Sequence, residues 1–433
     1  MAPGTRRGVS VCSPAMPLGL TGPQTKSLIA AWLGWAFDGL DGFLYVMVST
    51  RFVAQLMGTT PSDPRVGERA ALIQAMFMVG WAVGGAFFGR IGDKLGRSRT
   101  LTLTVLTYAC FTGMSFFATE WWHLLIFRFL AALGIGGEWA AGCSLVSETL
   151  NAKHRAWASA TLQSGYSVGC IAAALTAGLM AKLDPKWVFV VGVTPALLTF
   201  WIRRHVPEPE EWTNAAKNQA APPLGAIFSR DLWRTTLLAV ALTGIALTTV
   251  WAFIYFGPLA IKEIPEVRAL GPAGTQKFVT NVTIAFLGVS IVGNFFGTYL
   301  ALRVGYRCAF TIMFVASMIA YLALFRSPLT SGNVYWVTGA AGFTALGLFG
   351  MFPLYIPRLY PTLLRTLGAG FTYNIGRLIS GAGAIWGGQI AAGAGGNHMA
   401  IWWTGLLFIP GVLIAMIAPK PKFALCETEK QPR

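Results

Sequence analysis

Two aspartates interrupt an apolar stretch near the start of the chain. Asp38 and Asp41 lie in WAFDGLDGFLYVMV, residues 35 to 48. Burying an unpaired charge in hydrocarbon costs free energy, and ionisable residues placed there commonly take part in binding a ligand or in moving ions or protons. Because the two aspartates are three residues apart, a helix would place both on one face. We therefore interpret them as functional groups and expect them to exchange protons.

Arg128 is the predicted partner of Asp41. If the first apolar run crosses a membrane outward and the fourth crosses it inward, both residues lie roughly 10–14 Å below the outer boundary, at about 1.5 Å per residue. A carboxylate whose cationic partner comes and goes changes its affinity for protons, so such a pair can load and unload one. The alternative is a purely structural buried ion pair.

Glu138 and Arg377 are two further charged residues in apolar runs. Glu138, in GGEW, is a second candidate for protonation, since the glycines beside it let another helix approach closely; the alternative is a neutral, hydrogen-bonded side chain. Arg377 offers planar, two-pronged recognition of a carboxylate and is the candidate for holding an anion; its alternative is a salt bridge to Glu138. Polar residues beside Arg377 and on the fifth apolar run complete the candidate lining: Tyr373, Asn374, Gln163 and Tyr166.

The composition is that of an integral membrane protein. Of 433 residues, 55% are hydrophobic and 12% are charged, against about 25% charged in soluble domains. The six cysteines show neither metal-ligand spacing nor a paired framework. Nucleophile–base clusters, phosphate loops and dinucleotide motifs are missing from the sequence, so we expect no enzyme, no metal site and no cofactor. Attraction to anionic lipid accounts for the net charge of +16, without a nucleic-acid partner.

Twelve apolar runs are long enough to cross about 30 Å of hydrocarbon, which predicts an all-α membrane protein. They cover 28–50, 70–89, 100–119, 121–147, 156–180, 187–202, 235–257, 280–301, 308–325, 333–356, 366–392 and 398–418. With both termini in the cytoplasm, about two thirds of the 33 Lys and Arg residues fall on the cytoplasmic side, as the positive-inside rule requires. We expect a multi-pass protein of the cell (inner) membrane, and a monomer.

The chain divides into two related halves. We place a cytoplasmic tail at 1–27, a six-helix half at 28–202, a cytoplasmic linker at 203–234, a second six-helix half at 235–418 and a tail at 419–433. ALGIGGEW (132–139) in the first half is similar to ALGLFGMF (345–352) in the second, and GRIGDKLGR (89–97) to TYLALRVGY (298–306). Two halves in the same orientation, with a site between them, are typical of a transporter.

The segment GRIGDKLGRSR (89–99) resembles the loop between helices 2 and 3 of the major facilitator superfamily. The residues in register are Gly89, Gly92, Asp93, Gly96, Arg97 and Arg99. Glycines permit a tight turn and close helix approach, and Asp93 with the arginines can form a breakable charge latch. The second half has Leu302 at the position of the aspartate, so we expect the latch only once.

Further segments narrow this resemblance to the sialate/monocarboxylate proton symporters. They are residues 128–148, 163–169, 206–212 and 359–377. The DGLD of the first span is similar to the D-G-x-D of aromatic-acid proton symporters. The resemblance implies proton coupling through a helix 1 acid and a helix 4 arginine. The chain lacks the polar helix 7 signature of fungal lactate permeases and the helix 5 Gly-Pro motif of drug antiporters, which disfavours lactate and export.

We therefore predict a twelve-helix secondary transporter that couples proton influx to uptake of a small organic acid by alternating access. Its partners would be that acid, protons and the lipid bilayer. One alternative is a sugar or polyol proton symporter, which Arg377 and the helix 1 acids disfavour. Another is a non-transporting membrane sensor, which would need a sizeable output domain or a long tail; we expect the segment after residue 418 to be too short for this.

Overall fold

The computed structural model describes residues 19–180, 183–326, 328–393 and 396–421, without the side chains of 199–200, 203, 324 and 381–393. The described residues form helices, turns and loops, with no strand among them. Most of the two predicted tails, 1–27 and 419–433, lies outside the described residues.

Each predicted span coincides with a helix or a broken helix. The first half contains α1 (Gly22–Leu56), α2 (Pro64–Leu95), α3 (Arg97–Ser115), α4 (Trp121–Thr149), α5 (Ala152–Leu179) and α6 (Val188–Val191, continued by Ala196–His205). The second half contains α7 (Trp233–Glu263), α8 (Gly271–Val304), α9 (Tyr306–Leu324), α10 (Val334–Leu359), α11 (Arg365–Gly393) and α12 (Asn397–Ile417). Within the described ranges, seven of these helices are long and apolar enough to cross a membrane by themselves: α2, α4, α7, α8, α9, α10 and α12.

The linker between the halves packs under the turn that joins α2 to α3. That turn is Gly96, whose φ of 107° is a conformation that favours glycine. The linker contains a short helix, Glu210–Asn218, and Trp212 donates from Nε1 to the backbone carbonyl of Asp93 at 3.0 Å. We call the side of the bundle that carries this turn and the linker the linker face, and the other side the far face.

α2 and α11 join the two halves through closely packed backbones. A Cβ atom at Gly89 would lie 2.8 Å from the carbonyl oxygen of Thr366, and one at Gly92 would lie 2.7 Å from the Thr366 side chain. At residue 89 only glycine allows this separation, because a backbone neighbour cannot move aside as a flexible side chain can. The halves are therefore in direct contact near the linker face.

α5 packs against α8 and α10 as a second contact between the halves. Ser159 donates from Oγ to the carbonyl of Gly350 at 2.6 Å, and the hydroxyls of Ser167 and Ser290 lie 3.2 Å apart. Gly350 is in the irregular part of α10, where a π-helical segment (Gly342–Leu346) is followed by a 3₁₀ segment (Gly347–Met351). Such irregular segments often occur at functional sites.

Candidate functional site

Arg377 lies at the centre of the bundle, on α11, and is buried. Its guanidinium carbon is 3.7 Å from the ring centroid of Trp81, 4.9 Å from that of Tyr373 and 5.8 Å from that of Trp35. Its Nη1 donates to Oδ1 of Asn374, and its Nε has no hydrogen-bond partner among the described residues. No described carboxylate lies within 4 Å of this guanidinium to form a salt bridge. The aromatic rings stabilise the buried cation instead, through cation–π contact.

Asp38 faces this cation from the first half of the chain, and Glu138 lies beside Asp38. Both carboxyl groups are buried, Asp38 on α1 and Glu138 on α4. They lie within hydrogen-bonding range of each other, and their oxygens accept no bond from any N–H or O–H of the described residues. Gly34 on α1 makes room for Glu138, since a Cβ atom there would overlap Oε1. An ionised carboxylate only accepts, so these two groups can be hydrogen-bonded only when they share a proton.

The predicted lining residues surround the same centre. Trp139 stacks on Tyr373 with ring centroids 3.9 Å apart and an interplanar angle of 11°. Gln163 accepts a bond from Trp139 Nε1 at 3.4 Å and is also hydrogen-bonded to the Tyr373 side chain. The ring of Tyr166 lies 5.1 Å from that of Trp35. We call the following residues the central cluster: Trp35, Asp38, Trp81, Glu138, Trp139, Gln163, Tyr166, Tyr373, Asn374 and Arg377.

Asp41 and Arg128 form a separate buried pair on the far-face side of Asp38. Arg128 Nη1 donates to both carboxylate oxygens of Asp41, at 3.0 and 2.8 Å, and Thr112 Oγ1 donates to Oδ1 at 3.0 Å. The Arg128 guanidinium lies over the rings of Phe77 and Tyr45, 4.5 and 5.1 Å from their centroids. Its Nε and Nη2 have no partner in the described part of the chain. The pairing expected from helix depth is therefore present.

A network of charged residues, which we call the latch, lies at the linker face and spans both halves. Asp93 accepts bonds from the backbone N–H groups of Thr366 and Leu367, at 3.1 and 3.0 Å, and so caps the start of α11. It also pairs with Arg97 at 3.3 Å. Arg97 in turn donates to both oxygens of Glu148 at 2.9 and 2.8 Å. The glycines in register with this loop provide its tight turn and the close approach to α11.

Three residues outside the predicted set extend this latch. Arg365 of the second half donates from Nη1 to Glu148 at 3.0 Å and to Glu211 at 2.9 Å. Glu208 caps the start of α3 by accepting from the N–H groups of Arg97 and Arg99, at 2.7 and 3.0 Å. The side chain of Arg99 is exposed, contrary to its expected place in the charge latch, and its backbone N–H makes the contact instead. Only chain folding brings Glu208, Glu211 and Arg365 together, although all three lie in segments that the sequence singled out.

The arrangement can bind an anion and hold protons. Arg377 supplies one permanent cation between the halves, while Asp38, Glu138 and Asp41 supply three carboxyl groups from the first half. No cluster of three His, Cys, Asp or Glu residues suited to a metal occurs in the described ranges. Charge recognition and proton exchange are the chemistry that Arg377 and these carboxyl groups offer.

Comparison with known proteins identifies the family. The family model described as Major Facilitator Superfamily matches residues 30–384. The sialic acid transporter NanX of Escherichia coli (strain K12) is 31% identical over 360 residues, which cover 82% of this chain and 84% of NanX. A probable 4-methylmuconolactone transporter of Cupriavidus pinatubonensis (strain JMP 134 / LMG 1197) is 30% identical over 368 residues, which cover 84% of this chain and 82% of that protein.

A solved structure shares the whole architecture. The proton:xylose symporter XylE bound to 6-bromo-6-deoxy-D-glucose superimposes with a TM-score of 0.72 at 16% identity, covering 93% of this chain and 97% of XylE. At this identity the likeness shows the fold alone, and it confirms the predicted twelve helices in two halves. The family match over residues 30–384 establishes that the chain belongs to the major facilitator superfamily.

Proposed function

We propose that this protein is a proton-coupled secondary transporter that imports a small organic acid by alternating access. The observation that carries the proposal is Arg377, a permanent cation buried between the two halves on aromatic rings. A buried guanidinium costs free energy unless an anion pairs with it, and the planar guanidinium fits the geometry of a substrate carboxylate. Relatives named as transporters of sialic acid and 4-methylmuconolactone support an acidic or acid-derived substrate.

Substrate recognition would use both halves of the chain. Arg377, on α11, would hold the carboxylate, and Tyr373 of the same helix would stack on it with Trp139 of α4. Gln163 and Tyr166, on α5, would offer hydrogen bonds to the rest of the molecule. Because the lining comes from α1, α4 and α5 on one side and α11 on the other, a bound acid would contact both halves at once, as alternating access requires.

Proton coupling would reside on the first half. Asp41 and Arg128 form a pair in which protonation of the carboxylate would release the guanidinium, and loss of the guanidinium would favour protonation. Asp38 and Glu138 would hold a second proton between them, close to Arg377. We take the carrier to reorient only with the acid and the proton both bound or both absent, so that each acid would cross together with a proton and an inward proton gradient would drive its accumulation.

The linker face would be the cytoplasmic face of the cell inner membrane, since the basic loops and the linker lie there. We take 28–202 and 235–418 as the two moving halves, within a functional monomer. The latch of Asp93, Arg97, Glu148 and Arg365 would hold the linker face closed. Opening it would release the acid and the proton into the cytoplasm.

Uptake by the purified protein in proteoliposomes tests the proposal. Labelled sialic acid, benzoate, nicotinate, lactate and xylose would each be supplied outside, with and without an acidic exterior. We expect at least one acid to accumulate when the exterior is acidic and to equilibrate when a protonophore is added. Accumulation of xylose with no acid transported would favour a sugar symporter. Acid uptake that does not depend on the proton gradient would show that transport is not coupled to protons.

A further inference from the structure

Asn374 has its hydrogen-bonding groups engaged by the protein itself. It lies one helical turn before Arg377 on α11 and is fully buried. Its Nδ2 donates to the carbonyl of Gly136 on α4 at 3.1 Å and to the carbonyl of Gly370 at 2.9 Å. Its Oδ1 accepts from Nη1 of Arg377. An asparagine amide carries two N–H donors, and both are used here.

The bond to Gly136 crosses from one half of the chain to the other. It lies where α2, α4 and α11 meet through glycines: a Cβ atom at Gly85 would lie 2.6 Å from the carbonyl of Gly370 and would overlap the Asn374 amide nitrogen. A side chain enclosed by three backbones has no room to turn while the halves are closed. Asn374 therefore links the two halves by this hydrogen bond on the linker-face side of Arg377, and we call it the strut.

We propose that Asn374 is the positioning residue that converts anion binding at Arg377 into release of the linker face. This rests on the proposed function, because it requires an acid to bind Arg377. A substrate carboxylate would compete with Asn374 Oδ1 for Nη1 of Arg377. When Nη1 turns to the substrate, the buried Oδ1 loses its charge-assisted donor, and the closed packing around the amide is destabilised.

Substrate occupancy is thereby linked to the contact between the halves. The hydrogen bond from Asn374 Nδ2 to Gly136 helps to keep α4 against α11 in the empty carrier. The bound acid would weaken this bond indirectly, by taking Arg377 Nη1 away from Oδ1 of the same amide. Thermodynamic linkage makes the effect reciprocal: a carrier whose strut is broken should open more readily and bind the acid at least as well. The sequence-based interpretation of Asn374 as a substrate ligand predicts the opposite effect on affinity.

The test measures conformation and affinity in the same variants. Spin labels would be placed at Lys94→Cys and Arg303→Cys, exposed positions at the linker-face ends of α2 and α8, after replacement of the six native cysteines. Pulsed EPR would give the distance distribution with and without the transported acid. Isothermal titration would give the acid's affinity for the same proteins.

We expect Asn374→Ala to show a longer-distance population without acid, and to gain less than about half of the wild-type shift when acid is added. Its affinity for the acid should stay equal or rise. Asn374→Asp should lower that affinity about tenfold or more, since the introduced carboxylate would compete for Arg377. Asn294→Ala is the matched control, because it removes another buried asparagine, on α8, and should leave the acid-induced shift intact.

An Asn374→Ala variant that remains closed without acid and shows the full wild-type shift with it would overturn the proposal. So would an affinity loss of about tenfold with an unchanged shift at saturation, which would make Asn374 a substrate ligand. Failure of the proposed function is distinguishable, since it would appear in the wild type as no acid binding at all. The acid-free distances would still decide whether Asn374 is a strut.

Discussion

Arg128 contacts Asp41 through one nitrogen, Nη1, which donates to both carboxylate oxygens at 3.0 and 2.8 Å. A two-pronged pair would use two nitrogens and would be harder to separate. Here Nε and Nη2 of Arg128 have no partner among the described residues, and the rings of Phe77 and Tyr45 lie beside the guanidinium. The pair is thus buried but joined through a single nitrogen, a geometry that suits a partner exchanged in each cycle.

Asp41→Asn should abolish accumulation of the acid against its gradient while leaving exchange of internal for external acid. A neutral amide keeps the shape of the side chain but cannot carry the proton. Uptake and counterflow would be measured in the same proteoliposomes. Thr112→Val is the matched control, since it removes one hydrogen bond from a neutral hydroxyl to Asp41 but keeps the carboxylate, and should weaken coupled uptake without abolishing accumulation. Concentrative uptake at the wild-type level in Asp41→Asn would remove this residue from the mechanism.

Arg377→Lys should weaken acid binding although the charge is kept, because a lysine cannot make the two-pronged contact. Loss of one charge-assisted hydrogen bond costs about 1.5–3 kcal/mol, roughly ten- to a hundred-fold in affinity. The comparison is made with the acid and with its neutral amide on both proteins. The amide should bind wild type poorly and lose little more in the variant. Equal losses for the two ligands would mean that Arg377 has a structural role.

Asp93→Ala should slow the transport cycle more than it weakens acid binding. Residue 93 caps α11 at the linker face, away from the central cluster, so its loss alters the closed state rather than the site. Turnover and affinity would be measured separately, by initial uptake rates and by titration. Arg99→Ala, whose side chain is exposed, serves as the control and should change neither by more than about twofold. Unchanged turnover with a large loss of affinity would contradict this role.

Gly89→Ala should hold the linker face open. The added Cβ would lie 2.8 Å from the Thr366 carbonyl and 2.9 Å from the Cα of Leu367, both backbone atoms that cannot move aside. Transport should fall sharply, and a cysteine placed at the buried position Thr366 should become reactive to a water-soluble maleimide. Gly288→Ala on α8 is the matched control, since a Cβ atom there meets nothing within 4 Å. A Thr366→Cys thiol that stays protected in Gly89→Ala would show that α2 and α11 accommodate the methyl group.

Sequence reasoning located the charged residues and one of their pairings, but not the other groupings. Asp41 and Arg128 could be paired from the sequence, because helix rise fixes the depth of each in a membrane. The enclosure of Arg377 could not be predicted, since nothing in the sequence separates Trp35 and Trp81 from the other tryptophans that pack in the core or at the membrane surface. Arg365 and Glu211 were missed for a related reason: Arg365 donates to both Glu148 and Glu211, which come from distant parts of the chain, and only the packing of the halves brings the three together.

α2 connects three parts of the molecule that are otherwise far apart along the chain. Phe77 lies beside Arg128, Trp81 lies one turn further on beneath Arg377, and the two rings meet edge to face at 5.5 Å. Asp93, near the end of the same helix, holds the start of α11. A tilt or a shift of α2 would therefore disturb the Asp41–Arg128 pair, the surroundings of Arg377 and the latch at the same time. Genetic suppressors of defects in any of the three should accordingly recur along α2, including at positions that touch neither arginine.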